Sequence, residues 1–101
     1  FMELLTRHYS SQHQVGFYAK HLQVTPDHLT RVIKKNTGRT AKDHIQQLLT
    51  EEAKVLLHGP RSIKEIAHLL GFNTPYSFSK FFKRYASLSP KSYRSMVKTK
   101  R

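Results

Sequence analysis

One pattern is written twice in this chain, and the repeat restricts the folds open to it more than any single motif does. The first copy runs Val15-Gly-Phe-Tyr-Ala-Lys-His-Leu-Gln-Val-Thr-Pro-Asp-His-Leu-Thr-Arg-Val-Ile33. The second runs Ile63-Lys-Glu-Ile-Ala-His-Leu-Leu-Gly-Phe-Asn-Thr-Pro-Tyr-Ser-Phe-Ser-Lys-Phe-Phe82. Each reads as a short amphipathic helix, a tight turn, a Thr-Pro helix start and a second amphipathic helix. Val15, Tyr18, Ala19 and Leu22 match Ile63, Ile66, Ala67 and Leu70, an i, i+3, i+4, i+7 apolar stripe in both copies. Leu29, Val32 and Ile33 match Phe78, Phe81 and Phe82. Two helix-turn-helix units follow from this spacing.

The charge gives that architecture a direction. The 101 residues carry 18 Lys+Arg against 6 Asp+Glu, a formal net charge of +12. Duplex DNA carries one negative charge per roughly 1.7 Å, so such an excess translates into salt-dependent affinity for phosphate. A helix-turn-helix whose second helix is exposed and cationic suits a DNA major groove. Double-stranded DNA is therefore the expected partner.

The length fits one domain with a modest core. Without cysteine, disulfides and thiolate metal sites are ruled out, and a reducing, cytoplasmic setting is expected. No apolar run approaches the roughly 18 residues of a membrane span, and the N-terminus shows no signal-peptide pattern. No membrane partner is expected. The chain opens on Phe1 rather than Met, which leads us to expect a part of a longer protein.

The sequence predicts an all-α fold of seven helices forming two helix-turn-helix subdomains joined by a long central helix. One domain over 1–101 is divided into a first half at about 2–38, a linker helix at 40–58 and a second half at 62–97. The first helix is expected over Met2 to Tyr9, with Met2, Leu5 and Tyr9 facing inward. Thr25-Pro26, Thr74-Pro75 and Ser89-Pro90 are three hydroxyl-Pro helix starts, with the cap before the proline. Gly38 suits a left-handed residue past a helix end, and Gly59-Pro60 a helix stop. Ser62-Ile-Lys-Glu65 is a capping-box pattern. The central helix carries Ile45, Leu48, Leu49, Ala53, Leu56 and Leu57 on one stripe. Helix six carries Phe78, Phe81, Phe82 and Tyr85, and helix seven Tyr93, Met96 and Val97. The tail from Lys98 to Arg101 is a cationic end. A central helix of about 19 residues is roughly 28 Å long, against roughly 34 Å between successive major grooves on one face of DNA. Two recognition helices in adjacent grooves are thus expected from a single chain.

The run Ile66-Ala-His-Leu-Leu-Gly-Phe72, with Phe78, Phe82-Lys83, Ser89-Pro90 and Tyr93-Arg94, closely resembles the signature of the AraC/XylS family of bacterial transcription regulators. That signature reads Ile-Ala, a Gly-Phe turn, an aromatic helix, Thr/Ser-Pro and Tyr-Arg. The resemblance extends from about Met2 to Val97. It is looser in the first half, through Tyr18-Ala19, Leu29, Ile33, Gly38 and Thr40. One departure is Ser87, where the family often has Gly. The resemblance implies a seven-helix DNA-binding domain that activates or represses transcription at promoters. In many members it lies behind a separate sensing or dimerising domain, and RNA polymerase becomes a second expected partner.

Carried onto this chain, the family's base-reading positions fall on Asp27, Thr30 and Arg31 in the first motif. In the second they fall on Tyr76, Ser77 and Lys80. Arg31 suits bidentate pairing with guanine, the commonest specific contact. Lys80 holds the comparable place with a less geometric cation, equally suited to phosphate. Asp27 fits either acceptance from a cytosine amine or a helix first turn that favours an acid. Tyr76 fits a sugar or thymine methyl, or a cover over the core edge. The expected phosphate contacts are His28, Lys34, Lys35, Thr40, Asn73, Thr74, Lys83, Arg84 and Ser89.

Other chemistry finds little here. The seven histidines lack His-Glu-x-x-His or any i, i+4 pair, so neither metal nor cofactor is expected. Glu51-Glu52 reads as ion pairing with Lys54 or its neighbours. No phosphate loop or nucleophile elbow is present, so no catalysis is expected. A competing class is a basic helical module binding acidic proteins such as polymerase subunits. An RNA-binding domain is disfavoured because A-form major grooves are too narrow for a helix.

Overall fold

The computed structural model describes residues 1–99; the Lys100 and Arg101 of the cationic tail lie outside the described residues. Seven helices and no strand occur among them: α1 (Met2–His8), α2 (Val15–His21), α3 (Pro26–Thr37), α4 (Ala41–Leu57), α5 (Ile63–Leu69), α6 (Pro75–Ala86) and α7 (Pro90–Thr99). The chain divides into two compact units, the first over Phe1–Leu48 and the second beginning at Leu49. The division falls inside α4, so the first part of that helix belongs to one unit and the rest to the other.

In the first unit α2 packs on α3. Leu5, Tyr18, Ala19, Leu29, Ala41 and Ile45 are buried there. Tyr18 is the largest of these, and its hydroxyl donates to the Gln12 carbonyl at 2.7 Å. The rings of Phe1 and Phe17 meet it edge-on, at centroid distances of 5.6 and 5.1 Å. Burial pushes the Tyr18 phenol up to about 12. Between α2 and α3 the Val24 N–H returns to the Ala19 carbonyl at 3.0 Å, which needs left-handed backbone at Gln23, φ 58°.

Three inward positions expected in this unit prove exposed, among them Val32 of α3 at 39%. Met2 opens the first turn of α1 and is 51% exposed, while Leu5 alone of that helix is buried; Tyr9 is half-buried just past its end. Leu22 is 39% exposed although its counterpart Leu70 is 2% exposed. The second copy places three phenylalanines where the first has Leu29, Val32 and Ile33, so less apolar bulk is available to cover Leu22.

In the second unit α5 packs on α6 and α6 on α7. Leu49, Ala53, Leu57, Ile66, Ala67, Leu70, Phe78 and Phe82 form its core, and Pro90 is fully buried with them. Phe72 lies 5.5 Å from Phe78 and 5.2 Å from Phe81, and Phe82 lies 5.6 Å from Tyr93. Such tilted and edge-on aromatic pairs add roughly 0.5–1.5 kcal/mol each beyond area burial. Tyr85 and Met96, expected on the apolar stripes, sit at their edges with 39% and 37% exposure. The turn repeats that of the first unit: the Phe72 N–H meets the Ala67 carbonyl at 2.9 Å, with Gly71 left-handed at φ 80°.

The ends of α4 show why the chain turns where it does. Thr40 is the cap rather than the first residue: it accepts the Asp43 N–H at 3.1 Å, and its own N–H donates to Asp43 Oδ2 at 3.3 Å. At the other end Arg94 of α7 donates Nε to the Leu57 carbonyl at 3.1 Å, and Nη2 to the carbonyls of Gly59, at 3.3 Å, and Arg61. One guanidinium thus satisfies the Leu57 carbonyl, which the end of α4 leaves without a helical partner, and ties down two carbonyls of the loop that follows. The Tyr93 hydroxyl lies 3.1 Å from Nε2 of His58, and the Lys54 ammonium sits 5.9 Å above the Tyr93 ring.

Candidate nucleic-acid interface

Each unit presents its second helix by the same local device. Thr25 caps α3 by accepting the His28 N–H at 3.1 Å, and Pro26 fills the first helical position. Thr74 caps α6 by accepting the Ser77 N–H at 3.0 Å, with Pro75 in the same place. Both prolines occupy a position where a missing N–H costs nothing and a fixed φ helps. The cap sets where each helix begins, and so which residues stand in its first turn.

The buried side of α3 is Leu29, with Ile33 half-buried; the open side carries Asp27, His28, Arg31, Lys34 and Lys35. Thr30, expected to read a base, is half-buried beside Leu29. No ion pair joins Asp27 to Arg31 among the described residues, although they stand one turn apart. The buried side of α6 is Phe78 and Phe82, and its open side carries Tyr76, Ser77, Lys80, Lys83 and Arg84, with Asn73 exposed just before the cap. Position by position, Asp27 corresponds to Tyr76, Arg31 to Lys80, Lys34 to Lys83 and Lys35 to Arg84.

Several candidates have a second role. The Ser77 hydroxyl accepts from Thr74 at 3.0 Å, so it belongs to the cap. The guanidinium carbon of Arg84 lies 5.6 Å over the Tyr85 ring. Lys34, Lys35, Lys83 and Arg84 occupy last helical turns, where cations also favour the helix dipole. Tyr76 is 73% exposed, which removes the reading that it covers the core edge.

The two phosphate candidates at helix starts differ. At Thr40 the exposed Asp43 carboxylate already accepts the N–H and would repel a phosphate. At Ser89 the hydroxyl accepts the Ser92 N–H at 3.1 Å and donates to Ser92 Oγ at 2.9 Å, and the first turn of α7 contains no acid. The exposed Lys91 stands two residues on, past Pro90, a cation that the sequence reading passes over. Its signal was its place beside a capped helix start.

The capping box of α5 is complete: Glu65 N–H donates to Ser62 Oγ, and Ser62 N–H to Glu65 Oε1, both at 3.1 Å. The Ser62 backbone N–H, and then its side chain, hold the Glu65 carboxyl below its usual range. His21, His28, His58 and His68 are exposed. The His8 ring meets Phe17 edge-on at 5.0 Å and lies tilted to His21 at 6.0 Å, and no group of three or more metal-ligating residues forms among the described residues. No described helix is long and apolar enough to cross a membrane.

A family model described as a helix-turn-helix domain matches residues 18–96. The Msm operon regulatory protein of Streptococcus mutans is 31% identical over 96 residues, which cover 94% of this chain and 34% of that protein. The chain therefore spans about a third of the length of that relative. Among solved structures, the C-terminal domain of AraT, a response regulator from Geobacillus stearothermophilus, superposes with a TM-score of 0.86 at 30% identity, covering 93% of this chain and 79% of that one. The DNA-binding domain of the transcriptional factor AdpA, solved with a target DNA, gives a TM-score of 0.86 at 23% identity, covering 99% and 91% of the two chains.

Proposed function

The chain belongs to the AraC/XylS family of helix-turn-helix regulators, and from that membership we propose that it binds double-stranded DNA sequence-specifically at promoters, with one recognition helix from each unit in a major groove. The observation that carries this reading is the pair α3 and α6. Each buries one apolar side and holds a long polar or cationic side chain at matched positions on the other: Arg31, Lys34 and Lys35 in one, Lys80, Lys83 and Arg84 in the other. Residues near the start of such a helix meet base edges, and those further along meet phosphates. Asp27, Arg31, Tyr76 and Lys80 are accordingly base-reading residues in this proposal, and Thr30 and Ser77 contribute less because one is half-buried and the other tied to its cap. Lys34, Lys35, Lys83, Arg84, His28, Asn73, Thr74 and Ser89 hold the backbone, and Thr40 is a weak candidate beside Asp43.

The net charge of +12 supports the same reading, as does the likeness of the fold to a domain solved with its target DNA. Two half-sites one helical turn apart would match two recognition helices on one chain. The relative's greater length supports a longer protein in which another region senses a signal or dimerises. We place that protein in the cytoplasm, with RNA polymerase as a further partner and no catalytic step. The test is competition: a duplex selected from a random pool should bind at least about a thousandfold more tightly than random duplex at one salt concentration. Equal affinity for both would leave a merely basic module.

A further inference from the structure

The two recognition helices differ most at one matched position, Asp27 in α3 and Tyr76 in α6. Tyr76 is the second residue of α6, in the turn that a recognition helix presents to base edges. It is 73% exposed, the most exposed of the large apolar or aromatic side chains among the described residues, so the core gains almost nothing from it. Its hydrogen-bonding neighbour is already committed, since the Ser77 hydroxyl belongs to the Thr74 cap at 3.0 Å. One turn on, Lys80 is exposed and supplies a point charge suited to phosphate or a guanine acceptor.

An aromatic ring standing free on a DNA-reading face has one apolar target in the major groove. That target is the 5-methyl group of thymine, which the other three bases lack. We propose that the half-site read by α6 contains a thymine whose methyl group is covered by the ring of Tyr76, whereas the half-site read by α3 has no such requirement because Asp27 stands in that place. This inference rests on the DNA-binding reading and adds the base chemistry of one half-site. It makes Tyr76 a specificity-determining residue.

The experiment uses the whole chain and a duplex selected by it from a random pool. Each thymine of that duplex is replaced in turn by deoxyuridine, which removes the methyl and leaves base pairing intact. Wild-type protein should lose roughly fourfold in affinity at one thymine, the effect of exposing about one methylene-sized group. Tyr76→Ala should bind the thymine and uracil duplexes equally at that position. Tyr76→Phe, which keeps the ring, should retain the discrimination. Uracil tolerated everywhere by the wild type, or discrimination undiminished in Tyr76→Ala, would overturn the inference while leaving DNA binding intact. Discrimination lost in Tyr76→Phe would also overturn it, by assigning the effect to the hydroxyl. A pool that yields no preferred duplex would overturn the DNA reading itself, and this inference with it.

Discussion

Arg31 and Lys83 carry the same charge and should behave differently. Arg31 stands in the second turn of an exposed helix face, where a planar guanidinium can meet a guanine edge. Lys83 stands in a last turn and offers only a point charge. Arg31→Ala should cost roughly 1–3 kcal/mol at a selected site and relax preference at one base pair, while Lys83→Ala should weaken all sequences alike. Binding measured on a set of single-base variants separates the two, and equal, sequence-independent losses would remove Arg31 from base reading. Tyr18 gives a stability test independent of DNA. Its phenol is held up to about 12 by burial, against about 10 when unfolded. Between those values the unfolded chain has released the proton and the folded one has not, so stability falls as pH rises through that window and is intact below it. Tyr18→Phe should be less stable at neutral pH by about 1 kcal/mol, through loss of the bond to Gln12, and should show a shallower decline from pH 10 to 12. Denaturant titrations at several pH values measure both. Single residues were the scale at which the sequence was least legible: Leu22 and Leu70 share one stripe position, yet one is 39% and the other 2% exposed. Periodicity gives a direction from the helix axis and not the bulk of what lies opposite.

The elements were far more legible, because their ends are written in local chemistry. Thr25-Pro26, Thr74-Pro75, Ser62 with Glu65, and Gly38 each act over a few residues, and each stands where the spacing put it. The clamp that Arg94 places on the end of α4 was not legible, because its partners lie more than thirty residues away in sequence. Nor was the strain in the first turn. Gln23 and Gly71 hold equivalent left-handed positions, at φ 58° and 80°, and only the second is the residue such backbone favours. Ser87 repeats the mismatch at φ 67° past α6, where Gly38 serves α3 at φ 79°. Gln23→Gly and Ser87→Gly should each stabilise the protein by up to about 1 kcal/mol, net of the entropy that glycine adds to the unfolded chain. Gly71→Ala should destabilise it by about 1 kcal/mol or more. Denaturant midpoints at unchanged slope are the readout, and a Gln23→Gly variant of lower midpoint would mean that the glutamine side chain outweighs its backbone.

At the scale of the whole molecule, the repeat and the charge were both visible in the sequence, and they bear on one question. A chain with +12 and two exposed, cationic second helices should neutralise many phosphates at once. What the sequence left open was how the candidate contacts divide. The structure shows Thr30 half-buried, Ser77 held in a cap, Thr40 beside an acid and Tyr76 free of the core, because hydrogen bonds and burial are settled by folding and not by spacing. The central claim is that this surface is a DNA footprint, and its most direct test is the salt dependence of binding to a selected duplex. If about six to ten phosphates are neutralised, a plot of log affinity against log salt should have a slope near about −5 to −9. A slope shallower than about −2 would contradict the account, since the cations of the two units would then not be meeting phosphate.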